Sequence, residues 1–332
     1  MADAINPTAF GWGKLPARKP MRDIDGQIAS LRARGMRFER CGVHEASCYL
    51  SEVSSLLHVG AYRFLFQRHS DGPSAGKFVN LDFADLIALD SLDGRLRSVF
   101  MDAVLAVESR ARVRLLLHMT QEDEDGYTVV SEFFSSLDPG FRQSLKRELE
   151  RRRGGSDPYA GELIDKYLED MPAWVLVEVA PFGALLSLYR FCALRWDDRA
   201  MLDEHYLLKQ VKALRNACAH GSCVLDGFRP GRPSAVRIST LVQAALTSSA
   251  VPNSKSRRAK LANPRMQQLV TTLYAFRLFV RDAVPVDVVD ALSRLATELR
   301  AAAAAYGPQN SFVSYLLFLA RVIDLWLPSV AK

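Results

Sequence analysis

Apolar residues recur at steps of three and four along most of this chain, the spacing that gives a helix one apolar face. Ile24, Ile28 and Leu31 predict a helix over 24–34, with Asp23 or Asp25 near its start and Gly35 as its stop. Leu50, Val53, Leu56 and Leu57 predict a second over 44–58. The longest pattern runs from 83 to about 120, through Leu86, Leu89, Leu92, Leu96, Phe100, Val104 and Val107, with Asp82 placed to cap it. Shorter helices fill 128–152. Pro172 opens a helix over 173–194, with Trp174, Val177, Leu185, Leu188 and Phe191 as its core face. Another spans 201–219, with Leu202, Leu207, Val211 and Leu214 inward, and three more cover 266–281, 286–305 and 311–327. Gly, Pro and Ser punctuate 68–80, 154–155, 221–237 and 248–264, which read as turns and loops. Alternating patterns long enough for strands are scarce, so the expected fold is all-α.

Four regions follow from this layout. Residues 1–20 read as a flexible leader without the apolar run of a secretory signal. Residues 21–125 form an N-terminal helical region containing the long helix. Residues 126–285 form a helical core that includes an exposed basic loop at 248–264, and 286–332 add C-terminal helices.

Composition adds less than pattern does. Of 332 residues, 49% are hydrophobic and 24% charged, ordinary values for a globular chain. The net charge is +6 and arginine far outnumbers lysine, a balance suited to a phosphate-rich partner without requiring one. Five cysteines make an odd number and a disulfide framework a poor expectation. The apolar stretch at 314–327 is interrupted by Arg321 and Asp324 and is too short for a bilayer. A cytoplasmic location without membrane attachment is therefore expected. Cys41, His44 and Cys48 have metal-like spacing but no obvious fourth ligand, so no metal or other cofactor is expected. Nothing matches GxGxxG between strand and helix, GxxxxGK[ST], GxSxG or HExxH.

The most informative segment is Arg215-Asn216-Ala217-Cys218-Ala219-His220. Arginine holds phosphate oxygens, histidine moves protons near neutral pH, and an amide orients either. Loose Arg-to-His spacings are common here, at Arg37/His44, Arg63/His69, Arg112/His118 and Arg199/His205. Only at 215–220 does an Asn follow the Arg, with three small residues before the His. The plainer reading is a helix-capping histidine and an arginine in a surface ion pair. Asn216 and His220 share a helix face, whereas Arg215 and His220 are about 140° apart. Their convergence calls for a second helix or a second subunit, and a symmetric homodimer supplies one. The string itself resembles the R-N-x-x-x-H signature of HEPN ribonucleases.

Other residues carry weaker signals. Glu178 is a carboxylate that can orient His220 or pair with Arg215, or simply face solvent. Glu108 and Arg112 form an i, i+4 pair whose plain reading is a surface salt bridge. Tyr62 and Arg63 offer a stacking surface for a base, although a core tyrosine fits as well. Arg97 stands beside Gly94, near Asp93 and Arg95. The runs Lys146, Arg147, Arg151, Arg152 and Lys255, Arg257, Arg258 are candidate rails for RNA phosphates, or solvated faces.

Taken in order, these landmarks resemble the Abi-like (AbiD/AbiF-type) abortive-infection family. Arg34-Gly35 comes first, then Tyr62-Arg63-Phe64, then Leu92-Asp93-Gly94-Arg95-Leu96-Arg97, then Glu108 with Arg112. Trp174, Glu178 and Phe182-Gly183 follow, and the string from Leu214 to His220 closes the series. The chain departs from the family pattern at Leu92, usually aromatic, and after His220, where Gly221-Ser222-Cys223 stands. The resemblance covers roughly 20–280 and implies a HEPN-like helical bundle with additional N- and C-terminal helices. It further implies a metal-independent endoribonuclease in phage defence, toxin-like and held in check until a trigger releases it, with a small RNA or an antitoxin protein as candidate regulator. Arg215, Asn216 and His220 would be its catalytic set, supported by Glu178, Glu108 and Arg112. Two other readings remain open: an RNA-binding or sensing module that does not cut, and a helical protein-interaction adaptor.

Overall fold

The computed structural model describes residues 20–229, 231, 233–280 and 285–327; all but the last residue of the expected leader at 1–20 lies outside them. Among the described residues there are fifteen α-helices and no strand, only isolated bridges at Arg37–Asp82 and Arg68–Phe78. The described residues divide into two compact units, one within 20–60 and 66–87, the other within 61–65 and 88–327.

In the first unit, α1 (Ile24–Ala33) is capped by Asp23, whose carboxylate accepts the Gly26 N–H at 2.8 Å. Gly35 ends it at φ +82°, where a Cβ would stand 3.2 Å from the Phe78 amide nitrogen. The expected helix over 44–58 is two helices, α2 (Val43–Glu52) and α3 (Leu56–Val59). Ser55 explains the interruption: its side chain accepts the His58 N–H and starts α3 afresh. Asp82 accepts N–H bonds from Ala84, Glu39 and Arg40. Burial alone would raise its carboxyl, but those three donors hold it below the usual range.

The long pattern is the 39-residue α4 (Phe83–Gln121). Leu86, Leu89, Leu96, Phe100, Val104 and Val107 are fully buried along it, as their spacing predicts. Then come α5 (Thr128–Ser136), α6 (Pro139–Arg151) and α7 (Gly161–Tyr167).

The expected helix over 173–194 is also two, α8 (Ala173–Val179) and α9 (Phe182–Arg195). Pro181 breaks it, having no N–H to donate, and Ala180 before it is extended at ψ 139°. The carbonyls left open at the end of α8 are taken by two arginines. Arg112 donates to Val177, to Glu178 at 3.3 Å and to Ala180 at 3.2 Å, and Arg152 donates to Val179 at 2.7 Å. Cations at a helix C-terminus also suit its dipole.

The motif-bearing α10 (Arg199–Ala219) starts at Asp198, which caps Met201 N–H. Its buried Glu204 accepts the Tyr189 hydroxyl from α9 at 2.6 Å and pairs with Arg114 of α4 at 2.5 Å. The segment expected as a basic loop at 248–264 is largely helical. It holds the end of α11 (Thr240–Ser248) and all of α12 (Lys255–Ala262), which Ser254 caps. Next is α13 (Pro264–Phe279), packed with α9 on α10, and finally α14 (Val286–Tyr306) and α15 (Val313–Trp326) against each other.

Candidate functional site

Arg215 and Asn216 sit in the last turns of α10, and His220 is its C-cap. Gly221 at φ +62° turns the chain there, donating to Cys218 at 3.2 Å, while Ser222 donates to Ala217 at 2.9 Å. This pair of bonds is the Schellman closure that a glycine permits. His220 is thereby presented at the helix end with its ring exposed.

The break at Pro181 shapes the neighbourhood. It starts α9 afresh beside α10, with no side-chain cap on its first N–H groups. A cleft of about 270 Å³ lies there, lined by Phe182 and Gly183 of α9, Lys212, Arg215 and Asn216 of α10, and Glu148 of α6. Arg215 is half-buried, and its Nε is buried without a hydrogen-bond partner. The Arg215 side chain lines the cleft and has no ion pair among the described residues, which leaves its charge for an anion entering there. A second hollow of about 450 Å³ lies on the other side of Lys212, lined by Gly183, Ser187, His205, Lys209 and Asn216. Sequence reading missed Lys209 and Lys212. Their signal was the run 205, 209, 212, 216, 220, which falls on one helix face.

The segment after the motif is fixed from three sides. Asp93 is fully buried and accepts from Val224 N at 3.0 Å, Leu225 N at 2.7 Å and the Tyr62 hydroxyl at 2.9 Å, and pairs with Arg97. Arg265 donates to Cys223 O at 2.6 Å and pairs with Asp226, and Asn263 donates to Gly227 O at 2.6 Å. Burial raises the Asp93 carboxyl above the usual range, against the pull of those amides and of Arg97. Inside the motif, burial lifts the Cys218 thiol to about 11, which keeps it protonated and unreactive near neutral pH.

Several expected RNA contacts turn out to be internal. Tyr62 is fully buried, so it offers no face to a base, and burial next to Asp93 raises its hydroxyl. Arg97 is spent on Asp93. Arg152 pairs with Asp157 at 2.8 Å as well as capping α8. Arg257 is buried and donates to Val251 O at 2.6 Å and Thr247 Oγ1 at 3.0 Å. In each case the guanidinium satisfies a carbonyl, hydroxyl or carboxylate of the fold. Lys146, Arg147, Arg151, Lys255 and Arg258 are exposed, Lys146 at 4.0 Å from Glu150 and Arg258 bonded to Asn253 O. Arg63 stacks on the half-exposed Phe64 at 4.3 Å from its centroid.

The supporting residues act at one remove. Glu178 faces solvent, and among the described residues its carboxylate bonds neither Arg215 nor His220; only its carbonyl is engaged, by Arg112. Glu108 holds Arg112 at 2.8 Å, and Arg112 in turn holds the end of α8, upstream of the cleft wall. Cys48 Sγ lies 3.9 Å from His44 Nε2, but no group of three metal-binding side chains occurs among the described residues.

Two predictions arise from this geometry. Tyr62→Phe removes a buried hydroxyl bond to Asp93, which should cost about 1–2 kcal/mol in urea unfolding and leave RNA affinity unchanged. A fall in affinity without a fall in stability would return Tyr62 to the RNA surface. The second concerns His205, buried with Nδ1 at 3.0 Å from Leu186 O. Burial lowers its pKa to about 4, against an ordinary value of 6.5. The unfolded chain therefore takes up this proton as pH falls below 6.5, while the folded chain does so only near 4. Stability contributed by neutral His205 should be lost across that window, amounting to roughly 2–3 kcal/mol. Urea unfolding at stepped pH should show the loss, and His205→Gln should flatten that part of the curve.

No described helix is long and apolar enough to cross a membrane. Among known proteins, the model of the family described as Abi-like protein matches residues 49–226, which includes the long helix, the α8–α9 break and the whole R-N-x-x-x-H string. No curated protein and no solved structure matches the chain.

Proposed function

Because the chain belongs to the Abi-like protein family, we propose that it acts in abortive infection as a metal-independent endoribonuclease of the HEPN type. The observation that carries this reading is the unpaired Arg215 guanidinium in a cleft floored by Asn216, on the helix that ends in an exposed His220. A phosphodiester in the cleft would meet a cation with free donors. His220 would take the proton from the ribose 2′-OH as that oxygen attacks phosphorus, the P–O5′ bond would break, and the leaving 5′ oxygen would take a proton from water. Arg215 would stabilise the charge that builds on the phosphoryl oxygens, and Asn216 would orient the phosphate. The products are a 2′,3′-cyclic phosphate and a 5′-OH.

His220 does not line the cleft, and helix geometry sets it about 140° from Arg215. A homodimer in which one copy's His220 meets the other's Arg215 reconciles the two, and a toxin-like activity held by a small RNA or antitoxin protein would act on that assembly. The same divergence favours the second reading, an RNA-binding module that grips without cutting. Matched RNA and DNA oligonucleotides separate them. The nuclease cuts RNA, leaves cyclic-phosphate ends and spares DNA, which lacks the nucleophile. Cleavage of DNA would defeat this mechanism, and bound but uncut RNA would establish the second reading.

A further inference from the structure

We infer that the two hollows flanking Lys212 form one phosphate-binding saddle, through which α10 and the start of α9 hold the backbone of single-stranded RNA and lead it to His220. This rests on RNA being the substrate, though not on its being cut.

The first observation is a row of side chains. Taking 100° per residue, Lys209, Lys212, Asn216 and His220 lie within about 80° of one another on one face of α10, each about one turn beyond the last. Arg215 stands to the side of Lys212, in the smaller hollow. The second observation is that these cations lack acidic partners. Among the described residues no carboxylate lies within 4.0 Å of Lys209, Lys212 or Arg215, although Glu148 lines the same cleft. Arginines elsewhere in this unit, such as Arg97, Arg114, Arg152 and Arg265, are paired. Leaving three neighbouring cations of α10 unpaired is costly through their mutual repulsion, and an anion relieves it.

The third observation is where the row points. Gly183 lines both hollows together with Lys212 and Asn216. A Cβ at Gly183 would stand 2.8 Å from Lys212 Nζ, so the ammonium lies directly against the backbone at the start of α9. The N–H groups of Phe182 and Gly183 have no intrahelical acceptor, and Pro181 provides no side-chain cap. Positive dipole end, the Lys212 ammonium and the unpaired Arg215 side chain thus line one depression. The cations and the helix start recognise phosphate and not base edges, so they bind RNA without sequence preference.

The test is fluorescence anisotropy of labelled single-stranded RNA across a salt series, comparing the full-length chain with Lys209→Gln/Lys212→Gln. His220→Ala serves as the background, so that cutting does not disturb binding. Losing two phosphate contacts should weaken binding on the order of tenfold and reduce the log–log salt slope by about 1.4. Gly183→Ala supplies an independent variant: it is compatible with a helix but pushes the Lys212 ammonium away, and should weaken binding in the same direction. Unchanged affinity and slope in a folded double variant would overturn the saddle, as would absence of RNA binding by the parent chain. Normal binding by a chain that never cuts RNA would defeat the nuclease reading and leave the saddle standing.

Discussion

Replacing His220 by Ala should lower RNA cleavage by about 10²–10⁴-fold and leave RNA affinity within about twofold of the parent. The ring is exposed and bonds to nothing in the described fold, so its loss removes no structural contact. Stability should therefore change by less than about 0.5 kcal/mol, as for other featureless surface positions. Arg215→Ala should cost activity to a similar extent through lost stabilisation of phosphoryl charge, about 10²–10³-fold. It should weaken RNA binding as well, because Arg215 lines the cleft whereas His220 does not. Rate and affinity measured together on the two variants distinguish a proton-transfer group from a phosphate-gripping one. If the protein works as a homodimer, mixing the two inactive variants should restore part of the activity by pairing an intact His220 with an intact Arg215. No recovery from the mixture would argue for a site contained in one chain.

The largest effect on stability is expected from Asp93. Asp93→Ala would leave Arg97 without its counter-charge and strip the Val224 and Leu225 amides and the Tyr62 hydroxyl of their acceptor. Breaking a buried pair from one side costs about 3–5 kcal/mol. Urea unfolding should show it, and cleavage should fall too, since Asp93 ties down the chain that leaves His220 through Gly221. The contrast is Glu298→Ala, which removes the more exposed 3.1 Å pair with Arg95 and should cost less than about 1 kcal/mol. Equal losses from the two would mean that Asp93 does not organise the segment after the motif.

This role explains why Tyr62, Asp93 and Arg97 stand among the sequence landmarks although none offers a free face to RNA. They hold residues 224–225 in place, and those follow the motif by a single short turn. Glu108 and Arg112 do the equivalent at the other wall, through the end of α8. Landmarks of this kind announce a site by its supports as much as by its chemistry.

Helical spacing made the all-α fold legible, and the motif pointed to the turns of α10 that line the candidate site. Other features were hidden for physical reasons. The apolar pattern of 173–194 continues through Pro181, so spacing alone joined α8 to α9; only the missing N–H and the extended residue before it reveal the break. Yet that break supplies the open helix start at the cleft. Charge alone did not say which arginines are free. Arg152 reaches a carbonyl 27 residues away, Arg112 one 68 away, and Asp93 amides more than 130 away. Such partners become visible only once the chain is folded, and they removed Arg97, Arg152 and Arg257 from the expected RNA surface. Lys209 and Lys212 were overlooked for the opposite reason: only their helical spacing to Asn216 and His220 marks them, and the place of Lys212 beside Gly183 depends on how α9 meets α10.

The most direct measurement is RNA integrity in phage-challenged bacteria expressing the parent chain, Arg215→Ala or His220→Ala at matched levels. The account predicts fragmented RNA with 2′,3′-cyclic phosphate ends in the parent and intact RNA in both variants. RNA that stays intact with the parent, or is fragmented equally by the variants, would contradict it.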